Sequence, residues 1–331
     1  MKRIKIYFAD FWGTYNKTNN FIINILKEKY EVELDAQNPE YLFCSYYGTQ
    51  HWKYSNAVKI YWTGEMDTPD FNKYDYAISS APLVFGDRYL RSPVFATARN
   101  TFYTDFLNKD VAPNLAKRKF CNFVYSNSRF AHPMRKIFFE RLSQYKKVDA
   151  GGRFLNNMGG QYLEDKIAFL KEYKFTLAIE NSSVDGYTTE KLMDPIRAVS
   201  MPIYWGNKLI ANDFNTDSFV NVMDYNSIDE AVEEIIRLDN DDEAYLKKLS
   251  QKWMLDEQVI DYKSKLSTFL ENIIEKDFGN AKRVQSYGMM LNLERAKSRL
   301  SDKLFNTKAG KILIGRYLKS DKWLKKEMFN V

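Results

Sequence analysis

The segment FTLAIENSSVDGYTTEKLMDPIRAVSMPIYWG, residues 175–206, has the pattern of a strand, a loop, a helix and a second strand. The apolar runs Phe175–Ile179 and Met201–Trp205 are typical of buried strands. The stretch NSSVDG after the first run is typical of a turn, and Thr188 or Thr189 can cap the helix that follows. A βαβ unit of this length has parallel strands and a right-handed crossover, so the segment predicts an α/β fold.

The loop of this unit carries chemically useful side chains. It leaves the carboxyl end of a parallel strand and enters a helix N-terminus, where backbone N–H groups and the helix dipole favour an anion. Lys191 in the first turn adds a positive charge, and Tyr187 adds a ring and a hydroxyl. Glu180, Asn181 and Glu190 can hold sugar or base hydroxyls. This set fits a phosphate-bearing sugar nucleotide. The alternative is an ordinary α/β unit whose Glu and Lys side chains only face solvent.

Length and composition indicate a globular protein with room for two domains, since the chain has 331 residues, of which 45% are hydrophobic. The two cysteines, Cys44 and Cys121, are too few for a disulfide framework, which favours a reducing compartment. Together with the two histidines, they cannot build a structural zinc site of the usual kind. We expect neither a signal peptide at the N-terminus nor a membrane-spanning helix.

The net charge of +6 is concentrated at the end of the chain. Residues 301–331 contain eight Lys or Arg against three Asp or Glu, which leaves +1 for all the preceding residues. A nearly neutral body disfavours a nucleic-acid-binding protein, because such proteins carry a basic patch or stripe. The tail mixes basic and apolar residues, so it can lie on an anionic membrane surface or pack against the body.

A candidate catalytic carboxylate follows another apolar run. Val58–Trp62 is typical of a buried strand and ends just before Gly64 and Glu65. In open α/β sheets, groups just beyond the carboxyl ends of the strands face the crevice where ligands bind. Glu65 is therefore a candidate for catalysis, and the alternative is a structural or solvated loop glutamate.

A second α/β series begins after a polar interval. The stretch NKDVAPNLAKRK, residues 108–119, is typical of an interdomain linker, and Phe120–Tyr125 then has the pattern of a strand. The run Met134–Leu142 has the spacing of a helix, with Arg135 in its first turn or just before it. Arg135 can face the same crevice as Lys191, or it can be a surface arginine.

Eleven short motifs resemble, in the same order, those of the α-1,3/4-fucosyltransferases of glycosyltransferase family 10, and the bacterial members most closely. They are ADFWG (9–13), YWTGE (61–65), FNKYDYAI (71–78), DRYLR (87–91), FCNFVYSN (120–127), MRKIFFERL (134–142), GGRFLNN (151–157), YKFTLAIEN (173–181), GYTTEKLMDP (186–195), PIYWG (202–206) and DFNTDSFVNV (213–222). The motifs extend over about two thirds of the chain, and GYTTEKLMDP is highly specific.

The resemblance implies an α/β protein with two Rossmann-like domains facing across a cleft, the GT-B glycosyltransferase fold. Residues 1–110 would form the N-terminal acceptor-binding domain, and residues 120–290 would form the C-terminal domain that binds GDP-fucose. Residues 111–119 would link them, and residues 291–331 would form a helical, basic, amphipathic tail. The DDLRxNY heptads that precede the C-terminus of some bacterial members are missing from this sequence, so membrane attachment by that device is not expected.

The resemblance also implies an inverting reaction without a metal or any other cofactor, with GDP-fucose as the donor substrate. Glu65 would be the general base that removes the proton from the acceptor hydroxyl. Arg135 and Lys191 would neutralise the diphosphate as GDP leaves, and Glu190 would belong to the same catalytic group. The residues expected at the donor are Asn127, Arg135, Glu180, Asn181, Tyr187, Glu190 and Lys191.

One acidic triplet could suggest a metal instead. Asp239, Asn240 and Asp241 superficially match the metal-binding triplet of some glycosyltransferases. The triplet lies between two helical patterns, where Asp242 can cap the second helix. We therefore expect a capping cluster rather than a metal site.

The implied activity is transfer of L-fucose from GDP-fucose to a GlcNAc hydroxyl, with α-1,3 linkage favoured. The acceptor would be an N-acetyllactosamine-type glycan or a lipopolysaccharide or capsule glycan. The same fold could use another GDP-sugar, and no nucleic-acid partner is expected. We expect a cytoplasmic protein whose tail allows peripheral attachment to the inner face of the cytoplasmic membrane. The acceptor itself does not follow from the resemblance, because Met66 and Asp67 lie where members of the family vary.

Overall fold

The computed structural model describes residues 1–97, 103–126, 131–160, 163–284, 292–297, 300 and 307. The predicted donor-site residue Asn127 and nearly all of residues 301–331 lie outside the described residues. The chain divides into two compact units. The first combines residues 1–92 with the described residues from Tyr262 onward, and the second is Pro93–Asp261.

The strands of both units are short and parallel to their neighbours. They are β1 Lys2–Ala9, β2 Tyr30–Leu34, β3 Tyr41–Cys44, β4 Val58–Trp62, β5 Tyr76–Ser79, β6 Tyr89–Arg91, β7 Lys119–Phe123, β8 Val148–Ala150, β9 Tyr173–Ile179, β10 Met201–Trp205 and β11 Val220–Asn221. The sheet of the first unit has the order β2-β1-β3-β4-β5-β6, and the sheet of the second has the order β11-β10-β9-β7-β8. The predicted α/β fold with two Rossmann-like sheets is confirmed.

Helices follow most of the strands, as parallel sheets require. They are α1 Phe21–Lys27, α2 Val94–Thr97, α3 Met134–Tyr145, α4 Lys166–Leu170, α5 Glu190–Ala198, α6 Ile228–Asn240, α7 Asp242–Ser250, α8 Tyr262–Ile274 and α9 Phe278–Ala281. Strands β3, β4, β5, β9 and β10 are buried along their whole length, which explains why they are continuous apolar runs in the sequence.

The segment at residues 175–206 folds as predicted. Strands β9 and β10 pair in parallel, with α5 as the connection between them. The N-cap of α5 is Thr189, the second of the two candidates, and its side chain accepts a hydrogen bond from the backbone N–H of Lys191. Pro195 lies inside the helix, and Val199 ends it in the left-handed conformation at φ 51°. The sequence therefore predicted the element order of this unit correctly.

The domain limits differ from those predicted. Helix α8 was assigned to the C-terminal domain, but it packs in the first unit against α1. Its apolar face is buried at Leu266, Leu270 and Ile273, and the carbonyl of Ile274 accepts hydrogen bonds from that unit's Tyr41 and Lys2. The chain thus returns to its first unit at its end, which the amphipathic pattern of α8 alone does not reveal.

The predicted linker also differs from the structure. The described residues between 93 and 119 belong to the second unit, and the turn Pro113–Lys117 buries Leu115 and Ala116 in it. Strands β6 and β8 have no clear apolar pattern in the sequence. Each has only three residues, one of which is charged: Arg91 in β6 and Asp149 in β8.

Candidate active site

The strand order of the second unit places its ligand crevice. Strand β8 lies on one side of β7 and β9 lies on the other, so the direction of winding reverses between β7 and β9. Ligands of open α/β sheets bind at such a switch point, outside the carboxyl ends of the strands. The residues that follow these two strands are Val124 to Ser126 and Glu180 to Asn181. The predicted site residues Glu180 and Asn181 lie in these segments, and Arg135 contacts Asn181.

Arg135 is held at this switch point. It is only 2% exposed, and its guanidinium lies 4.2 Å from the centre of the Tyr125 ring. It donates hydrogen bonds to the carbonyl of Ile179 at 3.2 Å and to the side-chain oxygen of Asn181 at 2.5 Å. Burial lowers the pKa of Arg135, but a guanidinium stays charged in proteins. The prediction that Arg135 faces the crevice rather than the outer surface is therefore consistent with its burial and its partners.

Lys191 lies in a compact group of carboxylates and hydroxyls at the N-terminus of α5. Its ammonium is 3.3 Å from Glu180 Oε2, 3.3 Å from Glu190 Oε1 and 3.0 Å from Thr189 Oγ1. Glu180 is fully buried, and it accepts hydrogen bonds from both the backbone N–H and the hydroxyl of Thr189. Glu180 therefore holds the start of the helix and its lysine, whereas the side chain of Glu190 is 40% exposed.

These groups are close enough to influence one another's ionisation. Burial opposes the charge of Lys191, but Glu180 and Glu190 outweigh it and raise the pKa of the ammonium. Burial raises the pKa of Glu180. At Glu190 burial acts in the same direction, but the positive charge of Lys191 outweighs it and the pKa is lowered. The charge of Arg135 in turn acts against the charge of Lys191. The structure thus brings the two predicted cations and the two predicted acids into one cluster.

Tyr187 is on the same loop but is 3% exposed, and it interacts electrostatically with Arg135. The loop is fixed from behind by Asn207. Its side chain accepts a hydrogen bond from the backbone N–H of Gly186 at 2.7 Å and donates one to the hydroxyl of Thr188 at 3.1 Å. Gly186 has φ 80°, a conformation that favours glycine. The loop that leads into α5 is therefore preorganised.

A cavity of about 410 Å³ opens beside these residues at the ends of β7 and β8. Its lining includes Ser126, Asn156 and Lys166, together with the backbone of Gly151 and Gly152. A Cβ at Gly152 would overlap the backbone of Tyr125, so only glycine permits this approach of the two segments. The cavity combines an apolar part with hydrogen-bonding groups, as small-molecule sites do.

Glu65 lies in the first unit, just after β4. Its backbone N–H donates to the Thr63 hydroxyl at 3.0 Å, and its Oε1 accepts a hydrogen bond from the Tyr47 hydroxyl at 2.5 Å. Glu65 is neither buried nor fully exposed. Its location beyond the carboxyl end of a strand agrees with the prediction, and its role as a base stays a prediction.

The acidic triplet makes structural contacts in the part of the chain that the structure describes. Asp239 accepts hydrogen bonds from Tyr145 at 3.0 Å and Lys146 at 2.5 Å, and it lies 3.2 Å from the buried ammonium of Lys174. Asp241, rather than Asp242, is the N-cap of α7. The capping residue was misplaced by one position. Within the described ranges, no group of three or more His, Cys, Asp or Glu could hold a metal ion.

Two aromatic partners of the site were not predicted. Tyr125 supports Arg135, and its hydroxyl is fixed between the carbonyl of Leu177 and the N–H of Ile179. Tyr47 meets Glu65, which is 18 residues away in the sequence. Tyr125 is the last residue of an apolar run that ends at the crevice, so its location was a usable signal. The contact of Tyr47 had no comparable signal.

None of the helices in the described residues combines the length and the apolar character that a membrane span requires.

The two Rossmann-like units have the two-domain architecture of the GT-B glycosyltransferases. The second unit has a buried cationic cluster at its switch point. Residues 6–98 match the alpha-(1,3)-fucosyltransferase FucT N-terminal domain, and residues 114–290 match the C-terminal region of glycosyltransferase family 10 (fucosyltransferase). The chain belongs to glycosyltransferase family 10.

Individual relatives support this membership. The chain is 33% identical over 321 residues to the alpha-(1,3)-fucosyltransferase FucT of Helicobacter pylori, which covers 83% of this chain and 66% of that protein. It is 30% identical over 198 residues to human 4-galactosyl-N-acetylglucosaminide 3-alpha-L-fucosyltransferase 9, covering 59% of this chain and 52% of that protein. The matched part is thus about half to two thirds of the length of these curated relatives.

Solved structures are similar as well. A crystal structure of an alpha1,3-fucosyltransferase with GDP-fucose superposes with a TM-score of 0.70 at 32% identity and covers 84% of this chain and 92% of that one. A crystal structure of an alpha1,3-fucosyltransferase with GDP has a TM-score of 0.70 at 31% identity, covering 83% of this chain and 91% of that one.

Proposed function

We propose that the protein transfers L-fucose from GDP-fucose to a hydroxyl of a glycan. The observation that carries this proposal is the cluster of Arg135 and Lys191 at the switch point of the second unit, next to the N-terminus of α5. Two cations and a helix N-terminus provide what a diphosphate needs. Membership of family 10, and similarity to a solved fucosyltransferase with GDP-fucose, support fucose as the sugar.

In this proposal the second unit acts on the leaving group. As the bond between fucose C1 and the diphosphate oxygen breaks, negative charge builds on GDP. Arg135 and Lys191 stabilise this charge with fixed N–H donors, and the reaction then proceeds without a metal ion. The cavity beside β7 and β8 has room for the guanosine part, with Ser126 and Asn156 as hydrogen-bonding partners.

The first unit supplies the base. Glu65 takes the proton of the acceptor hydroxyl while the hydroxyl oxygen bonds to fucose C1 from the face opposite the diphosphate. One displacement of this kind inverts the configuration at C1 and needs one base. We propose a GlcNAc hydroxyl of an N-acetyllactosamine-type glycan, in α-1,3 linkage, as the acceptor, because both named relatives are 3-fucosyltransferases.

The decisive experiment measures release of GDP from GDP-fucose in EDTA, with and without N-acetyllactosamine. Release that the acceptor stimulates supports the donor, the acceptor class and metal independence together. GDP-mannose should give no stimulated release, and equal turnover of both donors would overturn the assignment of fucose. No binding of either donor by calorimetry would refute the donor site itself.

The base is tested with Glu65→Gln, which keeps the size of the side chain and removes its basic oxygen. We expect turnover to fall about a hundredfold or more with GDP affinity unchanged, which is the usual scale for a positioned base. Glu31→Gln is the matched control, since it makes the same change at an exposed glutamate of β2 in the same unit. Near-normal turnover of Glu65→Gln would remove Glu65 from this role.

We also propose a cytoplasmic location with peripheral attachment through residues 301–331, on the basis of their charge and apolar pattern. The test is co-sedimentation with vesicles of anionic and of neutral lipids. The full chain should sediment only with the anionic vesicles, and a chain ending at residue 300 should lose this behaviour. Equal sedimentation of the two chains would contradict attachment through the tail.

A further inference from the structure

The side chain of Glu65 is held by one hydrogen bond within the first unit. The Tyr47 hydroxyl donates to its Oε1 at 2.5 Å, while Oε2 has no partner in the part of the chain that the structure describes. The backbone of Glu65 is fixed too, because its N–H donates to the Thr63 hydroxyl at 3.0 Å. One oxygen of the carboxylate is therefore occupied, and the other is available to a reacting group.

The loop that carries Tyr47 is anchored at the switch point of its own sheet, between β1 and β3. The carbonyl of Asp10 accepts the N–H of Tyr47 at 2.9 Å. The carboxylate of Asp10 accepts the backbone N–H groups of Gln50 at 2.6 Å and His51 at 2.9 Å, and it lies 2.6 Å from the His51 ring nitrogen. Asp10 has φ 63°, which is uncommon for a residue with a side chain and typical of functional sites.

The ring of Tyr47 is packed independently of its hydroxyl. It makes edge contacts with Tyr46 at 5.0 Å and with Trp12 at 6.0 Å between ring centres. Gly48 follows it, and a Cβ at that position would lie 2.6 Å from Asp10 Oδ1, so the loop has little freedom to rearrange. Replacement of Tyr47 by phenylalanine would therefore remove the hydrogen bond and leave the ring in place.

We propose that Tyr47 is a positioning residue for the base: its hydroxyl fixes Oε1 of Glu65 so that Oε2 is presented to the acceptor hydroxyl. The inference rests on the proposed function, in which Glu65 removes that proton. In the step, the proton moves from the acceptor hydroxyl to Oε2, the acceptor oxygen bonds to fucose C1, and GDP leaves with the electron pair of the broken bond. Tyr47 keeps its own proton throughout. Burial, followed by the bond to Glu65, raises the pKa of its phenol, so the donor stays protonated at assay pH.

The same hydrogen bond makes the effects of the two residues interdependent. In Glu65→Gln no carboxylate base remains for the Tyr47 hydroxyl to position, so adding Tyr47→Phe should have little further effect on turnover in that background.

The experiment measures acceptor-stimulated GDP release for Tyr47→Phe, for Tyr46→Phe, and for Tyr47→Phe combined with Glu65→Gln. Tyr46 is the neighbouring exposed tyrosine, and its hydroxyl makes no hydrogen bond to any residue described in the structure. For Tyr47→Phe we expect kcat to fall about tenfold, which corresponds to about 1.4 kcal/mol, whereas kcat of Glu65→Gln should be about the same with and without Tyr47→Phe. The acceptor KM should change less than about twofold, because catalysis rather than ground-state binding is impaired. Tyr46→Phe should behave as the unaltered protein.

The outcomes separate this inference from the proposed function. If the unaltered protein is active and Glu65→Gln is not, but Tyr47→Phe has the normal kcat, then positioning by Tyr47 is wrong and the base remains. If Glu65→Gln is fully active, the proposed base fails. If Tyr47→Phe unfolds at the same temperature as the unaltered protein, a folding defect is excluded. A tenfold fall in kcat that recurs when Tyr47→Phe is added to Glu65→Gln would overturn the assignment to Glu65.

Discussion

Replacement of Lys191 by methionine tests whether the buried cluster is one electrostatic unit. The ammonium is 3.3 Å from a carboxylate oxygen of Glu180, which has no exposed surface. At an effective dielectric constant of about 20, charges 3.3 Å apart attract each other by about 5 kcal/mol. Without Lys191, Glu180 must either stay charged without this partner or bind a proton.

Proton binding limits the cost. Protonation at pH 7 of a glutamate whose ordinary pKa is about 4.3 costs about 4 kcal/mol, because each pH unit is worth about 1.4 kcal/mol. We expect Lys191→Met to lower the free energy of unfolding by about 3–4 kcal/mol at pH 7. In this variant the folded state binds a proton that the unfolded state lacks. The loss therefore shrinks by about 1.4 kcal/mol for each pH unit down to about pH 5.

A double substitution separates this stability effect from ligand binding. With Glu180→Gln added, the amide oxygen can still accept the N–H of Thr189, and no unpaired buried charge remains. The double variant should recover at least half of the lost free energy of unfolding, measured by urea denaturation at pH 7 and 5.5. Both variants should bind GDP about tenfold or more weakly by calorimetry and bind guanosine normally, because only the diphosphate uses the ammonium. A double variant as unstable as Lys191→Met, or a loss independent of pH, would refute the reasoning.

Two further substitutions probe other features of the second unit. Gly152→Ala, whose Cβ would overlap the backbone of Tyr125, should cost about 1–3 kcal/mol of stability and weaken GDP binding in calorimetry, whereas Gly13→Ala, with nothing within 4 Å, should be neutral. Lys109 lies over the ring of Trp253, and burial lowers the pKa of its ammonium to about 7. Between about pH 7 and 10.4 the unfolded state binds more protons than the folded state, so the buried ammonium destabilises the protein most at the lower pH. Lys109→Met should therefore raise Tm at pH 7, by roughly 2–4 °C for each kcal/mol of stability recovered. This gain should shrink towards pH 10 in thermal unfolding curves. A gain that grows with pH would contradict burial as the cause.

The long apolar strands and the capped helix were predictable because their signals are local. Val58–Trp62 and Met201–Trp205 are strands with the predicted limits, since parallel strands buried on both faces have continuous apolar runs. The return of helix α8 to the first unit was not predictable, because an apolar face indicates burial without indicating its partner. The same limit applies to the linker, where buried Leu115 and Ala116 lie within a polar stretch.

The site was predictable to the extent that strand ends determine it. Arg135 and Lys191 follow strands that turned out to be neighbours in the sheet, which is why both reach one switch point. The roles within the cluster depend on distances that no spacing gives. Glu180 was predicted to contact the sugar-nucleotide donor. In the structure, Thr189 donates hydrogen bonds to both oxygens of Glu180, and the carboxylate forms an ion pair with Lys191. Tyr47 and Glu65 meet only because two loops converge beyond β3 and β4.

The charges of the cluster raise a last question, because Arg135 and Lys191 are balanced by Glu180 and Glu190. A bound diphosphate adds negative charge next to two carboxylates, which raises their pKa values, and burial has already raised that of Glu180. GDP-fucose is a diphosphate diester without a group that titrates near neutral pH, so any proton taken up on binding belongs to the protein. We expect calorimetry in buffers of different ionisation enthalpy to show fractional proton uptake at pH 6 and less at pH 8. Uptake that persists in Glu180→Gln would assign the proton to Glu190, and a lack of uptake in the unaltered protein would show that the N–H donors of the cluster balance the diphosphate by themselves.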